Sequence, residues 1–120
     1  MSQLRDVVDH AIEQVKSAGI TRAYGRLEDV NPPCVWVAVD EVDHTLGALE
    51  VTLALFLIPG GPDEYRALDK AGTMLEQLTA AGLSPSSPTR TAQVVPTETS
   101  SPLAALRVTT IYTATPDTQE

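Results

Sequence analysis

Apolar residues in the opening segment recur at three- and four-residue spacing. Leu4, Val7, Val8, Ala11, Ile12 and Val15 share one helical face, while Arg5, Asp6, Asp9, Glu13 and Lys16 fall elsewhere. Ser2 is the expected N-cap, and Gly19 the expected C-terminal cap ahead of apolar Ile20. ITRAYGRL, 20–27, predicts a short strand interrupted by Gly25. In EDVNPP the two prolines fix φ and hold Asn31 and Pro32 extended, which delivers a straightened chain into CVWVAV. There Val35, Val37 and Val39 alternate with Cys34, Trp36 and Ala38, the pattern of a strand covered on both faces.

DEVDHTLG, 40–47, predicts an acidic connecting loop at the tip of a hairpin. The longest strand pattern follows it: Leu49, Val51, Leu53, Leu55 and Leu57 on one face, Glu50, Thr52, Ala54, Phe56 and Ile58 on the other. The first face is unbroken core. The second turns from polar to apolar towards Ile58, so only its C-terminal half is expected to be covered.

Pro62 and Asp63 start a second helix, with Asp63 as cap and Glu64 near its N-terminus; Tyr65, Leu68, Ala71, Leu75 and Leu78 form its expected buried stripe, and Gly82 ends it. SPSSPTR, 84–90, is a loop. Two further strands are expected at 91–95 and 103–115 across the polar turn PTETSSP, with 116–120 a frayed tail to a single domain of residues 1–115. The order α–β–β–β–α–β–β predicts an α+β fold: an antiparallel or mixed sheet of about four to five strands with two helices on one face.

Composition narrows the chemistry. The chain has 120 residues, enough for one domain with its own core. One Cys excludes an intramolecular disulfide framework, MSQLRDVVDH lacks the apolar run of a signal peptide, and LALFLI is far short of the ~20 residues that span a bilayer. These features predict a protein that is soluble and intracellular when it folds. A net charge of −8, from 16 acidic against 8 basic residues, argues against clustered-cation binding to phosphate backbones.

No catalytic, cofactor or metal constellation stands out. Cys34 lacks a partner that would lower its pKa, and neither His10 nor His44 stands at a recognisable catalytic spacing from it, so a buried structural thiol is expected. His44 beside Asp40, Glu41 and Asp43 lacks the ligand order of a calcium loop. PGGP, 59–62, precedes a helix as a phosphate cradle does, but no Lys-Ser/Thr follows, and Asp63 and Glu64 would repel phosphate.

Taken together, an N-terminal helix, AYGRLEDVNPPCVWVAV with its PP-C-V run, LEVTLALFLIPG, a helix opening DEYRALDKAGTMLEQL and a final LAALRVTTIYTAT resemble the tail terminator proteins of long non-contractile-tailed actinobacteriophages over roughly residues 3–114. That resemblance implies a ring, typically of six subunits, at the head-proximal end of the virion tail. Such a ring stops polymerisation of the major tail tube protein and docks the head–tail connector of the neck. DNA passes through it without specific binding, and neither a cofactor nor a membrane is involved. On this basis Asp40, Glu41 and Asp43 are expected to line the channel, and Glu50, Thr52, Arg107 and Thr109 to meet a neighbouring subunit or the tube. The alternatives are a head-completion or connector protein of the neck, a small-molecule-binding or enzymatic α+β domain, and a dimeric regulatory domain. Ligand-dependent melting would distinguish a binding domain from an assembly protein, which responds only to its protein partner.

Overall fold

The computed structural model describes residues 3–45, 48–60, 64–86, 88–97 and 101–114. The expected caps at Ser2 and Asp63, the tip of the hairpin at 46–47 and the tail 116–120 lie outside the described residues. Helix α1 spans Gln3–Ser17, followed by β1 (Ala23–Tyr24), a 3-10 turn (Leu27–Asp29), β2 (Cys34–Thr45), β3 (Ala48–Ile58), α2 (Glu64–Ala80), β4 (Arg90–Val94) and β5 (Leu103–Ala114). The fold is α+β. Its mixed five-stranded sheet has the order β1-β2-β3-β5-β4, with β1 parallel to β2 and every other pair antiparallel.

Both helices contribute to one core. Val7, Ala11 and Val15 of α1 and Met74 and Leu78 of α2 join Val35, Val37, Val51, Leu53, Leu55, Leu57 and Val108 of the sheet. Since those strand residues occupy one set of alternating positions, the two α-helices cover one sheet face and leave the other free of α-helix. Each helix ends as its glycine dictates. At α1, Ile20 N–H donates to the Val15 carbonyl and Gly19 N–H to that of Lys16, with Gly19 at φ 101°, where a side chain would be strained.

Four expectations need correction. The segment expected as an acidic loop is strand: β2 continues to Thr45 and pairs with β3 from Glu41↔Thr52 to Thr45↔Ala48, after a bulge between Val39 and Glu41. Cross-strand hydrogen bonding to the long β3 holds these acidic residues extended despite their weak strand propensity. The strand expected over 20–27 is only Ala23–Tyr24, because the chain turns into the 3-10 helix at Leu27. On α2 the buried stripe is Ala67, Ala71, Met74 and Leu78, while Tyr65 is 83% and Leu68 56% exposed. Small alanines let the helix sit close to the sheet, and this turns the larger side chains outward. Pro32 and Pro33 lie in a bend, with a cis bond between them, rather than in an already straightened approach to β2.

Candidate functional site: the helix-free face of the sheet

Register places each candidate residue. Leu49, Val51, Leu53, Leu55 and Leu57 face the helices, so Glu50, Thr52, Ala54, Phe56 and Ile58 point the other way, together with whatever lies directly opposite on β2 and β5. The rows on the helix-free face run from Cys34–Ile58 through Tyr24–Trp36–Phe56–Arg107–Arg90 across all five strands, then Ala38–Ala54–Thr109, then Glu41–Thr52–Ile111, then Asp43–Glu50–Thr113. Asp40 is the extra residue of the bulge, and its carboxylate meets Arg107 on this same face. Asp40, Glu41, Asp43, Glu50, Thr52, Arg107 and Thr109 therefore all belong to one surface.

They are not equally available. Thr109 is only 4% exposed; its hydroxyl accepts from Ser86 Oγ at 3.2 Å, and its carbonyl accepts from Ser86 N–H at 2.8 Å. The loop after α2 thus takes Thr109 into the fold. Arg107 is partly committed, donating through Nη2 to Asp40 Oδ1 at 2.5 Å. Glu41, Asp43 and Glu50 remain exposed and Thr52 half-buried.

At the Cys34–Ile58 end, the face is covered as its apolar sequence requires. Leu27 and Val30, from the turn segment before β2, pack with Cys34, Ile58, Val94, Ala105 and Leu103. Trp36 and Phe56 stack at the margin of this cluster, with centroids 4.8 Å apart and planes 25° from parallel. Trp36 is half-buried, where the sequence predicts a core residue covered on both faces. Two rows beyond the stack, Ile111 is 50% exposed and shares its row with Glu41, and the Arg107–Asp40 pair lies between the two apolar patches.

Two cross-strand pairs bring like charges directly opposite each other: Arg90 with Arg107, and Asp43 with Glu50. Such juxtaposition costs stability in a sheet. Asp40 relieves the first pair only in part, since Arg90 has no acidic partner among the described residues, and the second pair has no basic one. The signal missed by single-strand reading is this lateral register, which also brings Trp36, Phe56, Arg90 and Ile111 into the surface.

Other chemistry-bearing groups lie elsewhere. Cys34 is buried, and burial pushes its thiol above the ordinary value; a backbone hydrogen bond at Asn31 and the charge of Arg22 pull the other way without cancelling it. Among the described residues no group of three or more His, Cys, Asp or Glu side chains is arranged to hold a metal, and no helix is long and apolar enough to cross a membrane. The His10 ring meets Tyr112 edge-on at 6.1 Å. An open groove of about 360 Å³ between α2 and the β4–β5 pair is lined by Ala67, Leu68, Ala71, Thr91, Ala104 and Leu106, and carries no ionisable side chain. No protein-family model matches this chain, and a search of curated proteins finds no match.

Proposed function

We propose that this chain is a structural assembly protein of the tail-terminator kind, which caps a tail tube and presents a docking surface to the neck. The observation that carries the proposal is the helix-free sheet face, which presents the Trp36–Phe56 stack beside Arg107 and Arg90 at one end and exposed Ile111 beside Glu41, Asp43 and Glu50 at the other. Aromatic and arginine side chains within a charged rim are the makings of a protein–protein interface, because they bury large area at low entropic cost. The resemblance of the chain's successive segments to tail terminators supplies the particular assembly. The carboxylates Glu41 and Asp43 suit a surface along which DNA must slide without sticking.

Tube length tests it. The cognate tube protein, polymerised with and without this chain, is measured by negative-stain microscopy. Shortened tubes ending in a ring-shaped density are expected; tubes of unchanged length with bare ends would overturn the proposal.

A further inference from the structure

Strand β4 forms one edge of the sheet, and its outer side pairs with no other strand among the described residues. Edge strands are commonly blunted by a bulge, a proline or an inward-pointing charge. Arg90–Val94 has none of these: its register is regular from Arg90↔Arg107 to Val94↔Leu103, and its charged residue, Arg90, stands on the helix-free side. The helix side is open as well. Thr91 and Gln93 lie opposite Leu106 and Ala104, on the side of the sheet that α2 packs against. Thr91, Gln93 and Ala104 are nevertheless exposed, because α2 packs on β3 and β5 and β4 lies outside them. The result is the groove of about 360 Å³, walled by Ala67, Ala71 and exposed Leu68. On the other side, exposed Arg90 faces the like charge of Arg107, and the acid Asp40 goes to Arg107.

These features describe one occupant. An open strand edge takes extended backbone, and the side chains of an added strand alternate between the two sides. Those on the helix side enter a groove with no ionisable lining and must be long and apolar to reach Leu68. One on the other side stands next to Arg90, where an acid relieves the like-charge pair. The chain's own edges cannot supply such a segment. β4 carries Thr91 and Gln93 on its helix side and no acid, and the opposite edge, β1, is only Ala23–Tyr24. We propose that the outer edge of β4 takes an extended segment of a different protein as a further strand, with long apolar residues at alternate positions in the α2 groove and an acidic residue beside Arg90. The edge and the groove belong to the fold itself, so the tail-terminator reading is not a premise.

The probe is a short blocked peptide alternating leucine with threonine, one threonine replaced by glutamate, titrated into the isotopically labelled whole chain. Amide shifts should concentrate in 90–94 and 67–71, with hydrogen exchange of β4 slowed by about tenfold at saturation. N-methylation of the peptide should abolish binding on one alternate set of amides and spare it on the other, the signature of a strand paired along one edge. Arg90→Glu should weaken the glutamate peptide by about tenfold and strengthen its lysine counterpart. Ala104→Phe, which fills the groove from an exposed position, should weaken both. If Arg90→Glu disturbs folding, Arg90→Gln should erase the preference between the two peptides. An absence of shifts in β4 at millimolar peptide, equal binding of both methylated peptides, or a preference that ignores Arg90 would overturn the proposal. Concentration-dependent shifts of β4 without peptide would give the edge to a second copy and overturn it too. Peptide capture by a chain that leaves tubes uncapped removes the terminator role and keeps this one; capping without capture does the reverse.

Discussion

Arg107 on β5 reaches across β3 to Asp40 on β2, closing a hydrogen-bonded ion pair of 2.5 Å between strands that are not neighbours. Its path runs over the row Ala38–Ala54–Thr109, where small side chains leave room for the arginine stem, and Ala54 is only 2% exposed although no helix covers it. The pair therefore works as a strap across three strands, with packing by the stem as well as charge.

Both partners remain partly exposed, so solvent screening limits the ionic share. Arg107→Ala is expected to cost about 1 kcal/mol and Asp40→Asn less, with a coupling of about 0.5 kcal/mol in a double-mutant cycle read by urea denaturation. A coupling of zero would assign the whole effect to the stem.

Trp36→Ala should cost about 2 kcal/mol rather than the ~3–5 expected of a fully buried aromatic, because the ring is half-buried and keeps one face on Phe56. Leu55→Ala, at 0% exposure on the opposite face, should cost about 3 kcal/mol. Thermal melts of the two variants check the order.

Two glycines give opposite results on the same substitution. Gly60 has φ 71°, and a Cβ there would stand 2.6 Å from Pro32 Cβ, so Gly60→Ala should destabilise by more than about 1 kcal/mol. Gly72 sits inside α2 with open space around it, and Gly72→Ala should stabilise by about 0.5–1 kcal/mol. Denaturation midpoints of the two single variants settle the sign.

Burial raises the pKa of Tyr112, whose hydroxyl donates to Gln14 Oε1 at 2.5 Å, and likewise that of Cys34. A folded-state value above the unfolded one means stability fully present below the ordinary values of 9.0 and 10.0, and lost as pH rises through the folded ones. Melting temperature should therefore owe no change to these groups near neutrality and fall in the alkaline range. Tyr112→Phe should make that fall shallower. In the native state, a thiol reagent at pH 7.5 should modify Cys34 far more slowly than in the unfolded chain.

How much of this was legible in the sequence depended on the kind of pattern. The α1 stripe and the β3 alternation are strong periodic signals over many residues, and the structure keeps both. On α2 two stripes of equal periodicity compete. Hydrophobicity favours Tyr65 and Leu68, whereas close packing selects Ala67 and Ala71. The strand at 40–45 was hidden because its apolar residues, Val39 and Val42, stand three apart, the spacing a bulge creates. That all seven candidate residues share a face follows from alternation only once the strands are laid side by side. No single strand says that Arg107 lies opposite Phe56, or that Thr109 will be claimed by Ser86.

The bulge at Asp40 works like a frameshift in a two-letter script. In an unbroken alternation after Val39, Glu41 and Asp43 would turn towards the helices and Val42 away from them; the extra residue resets the phase, so the carboxylates stay outside and Val42 stays opposite Val51. The inserted letter is itself the acid that Arg107 holds. Deleting Asp40 would leave the script in phase and remove only the strap, whereas one residue added between Glu41 and Asp43 would garble every position from there to the end of β2.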